Sequence, residues 1–251
     1  DAHAHLIHEQ FEGEEDIMAV KCSEAGLEYI IVNGLEPESN RKILLYSEKF
    51  SNILPACGIY PIDAMCNAID PSEWKQPFPP PTKFNVDSEI EFIHQLAKEK
   101  KIIAIGECGL DRYYIDTPIT NQEQERVLRE LMRIGKQYDI PLILHTRKAE
   151  EKVLQMLIEE KVVKADFHCF CGKVKLGVKI AQAGYYLSIP SAVERVDSFQ
   201  KLVAALPIDK ILTETDCPYM GPDKGVRNDP TTVPRGVAAI AKVKNITENE
   251  M

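Results

Sequence analysis

The chain has no run of about 18 apolar residues, so no membrane-spanning helix is expected. Nor does it open with a basic segment followed by an apolar stretch, so no signal peptide is expected. Its 7 cysteines (22, 57, 66, 108, 169, 171 and 217) lack the spacing of a disulfide framework, which points to reduced thiols inside a cell, in cytoplasm or nucleus. Positive charge is scarce. The 30 Lys and Arg against 39 Asp and Glu give −9, which excludes a broad basic coat for sequence-independent nucleic-acid binding. It does not exclude an enzyme that handles phosphodiesters in a local metal pocket. There is no internal repeat beyond a βα alternation, and the low-complexity content is one proline run around Pro79-Pro80-Pro81.

What is present is a single-domain length, residues 1–251, with 44% hydrophobic residues. Short apolar runs at 29–32, 53–59, 102–105, 142–144, 165–167, 185–189 and 210–213 read as buried parallel strands. Helical patterns at 14–25, 37–50, 86–100, 121–138, 149–160, 174–183, 191–205 and 233–244 lie between them. That is seven strands and eight helices; a first strand ending at Asp1-Ala2-His3-Ala4-His5 would complete eight βα units. The expected fold class is therefore α/β, a (β/α)8 TIM barrel, with an open doubly wound sheet as the alternative. Some apolar residues before Asp1 would belong to that first strand. The Pro-rich stretch 61–87 follows the third strand and reads as an insertion over the barrel mouth.

His3 and His5 are two apart, so in a strand they share a face and can close on one cation. Glu107, His145, His168 and Asp216 each follow an apolar run. All six candidates thus stand at strand C-termini, where barrel enzymes place their sites. His8 and His94 fall outside this pattern.

Asp1-Ala2-His3-Ala4-His5-Leu6, Gly106-Glu107-Cys108-Gly109-Leu110-Asp111, His145-Thr146-Arg147, His168-Cys169-Phe170-Cys171-Gly172 and Glu214-Thr215-Asp216-Cys217-Pro218-Tyr219 run in that order. This succession, with Arg227-Asn228-Asp229-Pro230 after it, resembles the motifs of the TatD-like metal-dependent deoxyribonucleases. The resemblance implies an amidohydrolase-like TIM barrel with two divalent metal ions. By position, His3, His5, Glu107 and Asp216 would hold one, and Glu107, His145 and His168 the other, with Glu107 bridging. It implies hydrolysis of DNA phosphodiester bonds from the 3′ end, with DNA as substrate rather than stable partner. Glu107 and Asp216 are the expected catalytic carboxylates, Asp216 also accepting a proton from the attacking water. Asp111 and Glu214 are expected to orient ligands. Arg147 reads either as a phosphate contact or as a helix-start salt bridge. Imidazole and carboxylate ligands suit Zn or Mn, and Mg where phosphate supplies oxygens. Cys108, Cys169 and Cys217, each next to a proposed ligand, are expected to pack as small apolar residues.

The family usually carries Gly-x-His-Pro where this chain has Gly58-Ile59-Tyr60-Pro61. Tyr60 can donate a hydrogen bond to substrate but cannot serve as an imidazole base near neutral pH. The family's final helix would lie beyond Met251. Two other functions stand beside the nuclease: an amidohydrolase-like enzyme for a small amide, lactone or phosphoester, and a non-catalytic metal-binding scaffold.

Overall fold

A computed structural model describes residues 1–251. Its strands are β1 (Ile30–Asn33), β2 (Ile53–Cys57), β3 (Ala104–Asp111), β4 (Leu142–Arg147), β5 (Ala165–Phe167), β6 (Tyr186–Pro190) and β7 (Ile211–Glu214). They follow one another in sheet order β1 to β7. The helices are α1 (Glu15–Glu24), α2 (Pro37–Lys49), α3 (Pro61–Ala64), α4 (Val86–Lys98), α5 (Pro118–Tyr138), α6 (Glu150–Glu159), α7 (Val174–Gln182), α8 (Asp197–Ala205) and α9 (Val233–Lys244). No helix is long and apolar enough to cross a membrane.

The chain forms two compact units. The first comprises Asp1–Val32, Leu45–Leu54 and Asp166–Met251. Here β5, β6 and β7 pair in parallel, with Phe167 opposite Leu187 and Ile189 opposite Thr213. The expected first strand is present as a short extended segment with one parallel bridge, Ala4 to Val32. Its Ala2 amide donates to the Thr213 carbonyl at 2.9 Å and its Ala4 amide to Ile31 at 3.0 Å. Asp1–His5 therefore pairs with both the first and the last strand of the sheet order. The helix expected over 191–205 is divided: Ser191–Glu194 is a 3-10 turn and α8 starts at Asp197.

The second unit comprises Asn33–Leu44 and Pro55–Ala165. In it β2, β3 and β4 pair in parallel, with Ala56 opposite Ala104 and Asp111 opposite Arg147. Every residue of β3 is buried. Glu107 and His145 do not follow their strands, as the apolar runs suggested, but lie inside them, since β3 continues to Asp111 and β4 to Arg147. The register shifts between Ile105 and Cys108, a bulge that re-aims the side chains beyond it. Gly109, at φ +146°, lets the two strands approach: a Cβ there would stand 1.9 Å from the His145 carbonyl oxygen. Helix α5 starts at Pro118 rather than 121 because Thr117 caps it. Thr117 Oγ1 accepts from the Thr120 amide at 3.3 Å, and proline suits the first helical position. The stretch 61–87 holds only α3, a few turns and the start of α4.

Candidate metal centre

The first unit gathers His3, His5, His168 and Asp216. Backbone pairing positions them: Asp216 donates its amide to the His3 carbonyl at 2.9 Å, and His5 its amide to Cys217 at 3.0 Å. Asp216 takes φ +51°, a left-handed conformation that Asp tolerates better than most residues. The Asp1 carboxylate accepts from the Thr215 amide at 3.0 Å and its hydroxyl at 2.5 Å, tying the N-terminal segment to the turn that carries Asp216.

His3 Nε2 and His5 Nε2 stand 3.0 Å apart, and each is 3.7 Å from Asp216 Oδ1. A point about 2 Å from all three atoms lies inside this triangle, which is the length of a Zn–N or Zn–O bond. The His168 ring stacks on His3, with centroids 3.8 Å apart and planes 9° from parallel. His3, His168 and Asp216 offer ligand atoms all within 4.8 Å of one another. Convergent imidazole nitrogens and a carboxylate oxygen at these separations fit a divalent cation.

Behind these ligands is a buried carboxyl pair. Glu214 accepts from the Cys169 amide at 2.8 Å and lies 4.0 Å from His168 Nδ1. Ser188 Oγ hydrogen-bonds both Asp166, at 2.7 Å, and Glu214. One hydroxyl has one proton, so one of the two carboxyls must carry its own. Burial raises both, Asp166 to about 6 and Glu214 well above the carboxylate range, the latter helped by Asp216 and Asp166.

The second unit gathers Glu107, His145, Asp111, Tyr60 and Arg147. His145 is clamped: Nδ1 faces Glu107 Oε1 at 2.8 Å and Nε2 faces Asp111 Oδ2 at 3.0 Å. Burial alone would lower the imidazole, but hydrogen bonds to Asp111 and Glu107 outweigh it and raise it to about 9. Asp111 is itself held by Gln124 of α5, whose amide group accepts from the Asp111 N–H at 2.8 Å and donates to its carbonyl at 2.9 Å. Sequence reasoning missed Gln124; its polarity on the otherwise apolar stripe of α5 was the available signal.

The Tyr60 ring meets His145 edge to face at 4.9 Å. Burial, with Glu107 and Asp111 adding, pushes its phenol well above 10, so it stays a neutral donor. Arg147, the last residue of β4, stacks its guanidinium on Tyr113 at 3.7 Å. Cys108 and Cys217 are buried thiols, Cys217 pushed up to about 12 mainly by burial, in keeping with the packing role expected of them. Cys169 is half-buried.

The TatD related DNase family model matches residues 1–251. The human deoxyribonuclease TATDN3 is 30% identical over 254 residues, covering 100% of this chain and 89% of that protein. The uncharacterized metal-dependent hydrolase YabD of Bacillus subtilis is 29% identical over 257 residues, covering 100% and 93%. Among solved structures, the TatD homologue YjjV of Escherichia coli matches with TM-score 0.84 at 25% identity, over 100% of this chain and 92% of that one. A TatD-family hydrolase from Entamoeba histolytica, 21% identical, matches with TM-score 0.81 over 100% and 92% and shares the fold. The TIM-barrel class expected from the βα alternation is the fold of these structures. Ligand motifs, fold and a family match along all of its residues agree: this chain belongs to the TatD related DNase family of metal-dependent hydrolases.

Proposed function

We infer that this protein hydrolyses DNA phosphodiester bonds, removing nucleotides from the 3′ end, with two divalent cations at one centre. His3, His5, Glu107 and Asp216 would hold one, and Glu107, His145 and His168 the other, with Glu107 shared between them. The observation that carries the reading is the His3–His5–Asp216 triangle, whose 3.0 and 3.7 Å edges match the spacing of ligands around one small cation. Family membership supplies the substrate class. When bound, such cations lower the pKa of an attacking water and stabilise the leaving oxygen.

The remaining work falls to the chain's own groups. Asp216 accepts the proton of the attacking water. Asp111 fixes the orientation of His145, and Glu214, 4.0 Å from His168 Nδ1, sets the charge beside that ring. Arg147 turns its guanidinium to a phosphate oxygen, and Tyr60 donates its phenol proton to another.

End-labelled single-stranded DNA tests this. Purified protein is expected to shorten a 5′-labelled strand stepwise, to stop in chelator, and to recover with added Mn, Zn or Mg. Glu107→Ala should lower the rate by about 10³-fold or more. Full activity of that variant would sink the reading. Faster turnover of lactone or phosphotriester substrates than of DNA would favour the small-molecule hydrolase instead.

A further inference from the structure

A line of aromatic rings leads away from His145 within the second unit. Trp74 and Phe78 belong to the Pro-rich stretch; Tyr113 and Tyr114 follow β3. Ring centroids step 5.7 Å from Trp74 to Phe78, 5.5 Å to Tyr114 and 5.2 Å to Tyr113, each pair edge to face. Cations end the line. The Arg147 guanidinium lies 3.7 Å from the Tyr113 centroid, and Lys148 Nζ 4.9 Å from it.

The line is rooted and placed. Tyr60, Trp74 and Tyr114 pack on a buried cluster of Ile62, Met65, Ile69 and Ile115. The Trp74 indole N–H donates to the Phe78 carbonyl at 2.7 Å, and Gln76 donates to the Tyr114 carbonyl at 2.8 Å. The carboxylate that holds His145 also accepts from the Tyr113 amide at 2.7 Å, through Asp111 Oδ1. Tyr113 is thereby fixed relative to a proposed metal ligand. Tyr113 and Phe78, which stand outside that cluster, are 49% and 44% exposed, so both rings are open to solvent.

We propose that the exposed Phe78 ring stacks a base of single-stranded DNA, while Tyr113 holds Arg147 and Lys148 at its ring where they receive the phosphates. This rests on the nuclease reading and adds how the strand is held. Ring faces accept any base and neighbouring cations follow the backbone, the combination by which proteins hold single strands without reading sequence. In a chain of net charge −9 these two cations give a local attraction that the surface as a whole does not.

The test uses two 12-nucleotide probes with the same phosphates, oligo(dT) and an abasic strand, both with phosphorothioate linkages, and reads binding by fluorescence anisotropy. The wild-type protein should prefer oligo(dT) by about 5- to 100-fold, the range expected from stacking one base. Phe78→Ala with Tyr113→Ala should bring the two probes together. Phe78→Tyr with Tyr113→Phe should keep the preference, which separates ring loss from misfolding. Arg147→Gln should weaken both probes. A wild-type protein that cleaves DNA but binds the two probes equally would overturn the stacking and leave the nuclease reading standing. One that neither binds nor cleaves DNA would overturn both.

Discussion

The two units carry polar clusters of opposite design. In the first, three imidazoles and one carboxylate turn ligand atoms toward one another, with Nε2 atoms of His3 and His5 at 3.0 Å. In the second, one imidazole sits between two carboxylates that neutralise it, Glu107 at 2.8 Å and Asp111 at 3.0 Å. In the first arrangement, neighbouring imidazoles cannot both be charged without repulsion. In the second, the imidazole and its two carboxylates offset one another's charge. A cation taken up as proposed would have to compete with a proton at His145, the clamped imidazole of the second cluster.

This difference can be broken by pH. His145 is raised from 6.5 to about 9, so its clamp contributes stability that is full below about pH 6.5 and lost as pH rises through 9. In chelator, the stability difference between wild type and His145→Gln should fall by up to about 3 kcal/mol across that window. Denaturant unfolding at pH 6, 8 and 10 measures it; a flat difference would remove the clamp from the comparison.

A second experiment removes the orienting carboxyl from each cluster in turn. Asp111→Asn and Glu214→Gln should each lower metal affinity or kcat/KM by about 10- to 100-fold. Elemental analysis and steady-state rates report both. If only Asp111→Asn has an effect, Glu214 is there for the Ser188 network rather than for His168.

The smallest effect is expected at Tyr60. Its ring meets His145 edge to face, and its hydroxyl is proposed to give substrate one neutral hydrogen bond. Tyr60→Phe should therefore change KM for DNA by about threefold to tenfold and leave metal content unchanged. A collapse of metal content would show that the phenol supports His145 rather than substrate.

The strand ends were legible in the sequence because apolar runs stop at charged residues. That same rule misplaced two of them. β3 runs on through Glu107 to Asp111, and β4 through His145 to Arg147, since polar side chains there are buried among one another instead of turned to water. Hydrophobic periodicity cannot distinguish a buried charge from a surface one. Each of His3, His5, His168 and Asp216 was readable, and the structure brings them together; Glu107 and His145 were readable and meet in the second unit. Gln124 and the Tyr113–Phe78 line were not, because their roles depend on partners far along the chain rather than on local spacing. The start of α5 at Thr117-Pro118 was encoded locally, in a cap that periodicity alone passes over.

The bond from Asp1 to Thr215 joins residues 214 apart in sequence. Contacts of that span carry the highest loop-closure entropy and form when most of the chain is already ordered. The His3–His5–Asp216 triangle depends on the same long-range contact. The proposed cation site thus exists only where segments 1–5 and 214–217 have met, so metal uptake during refolding would report that meeting.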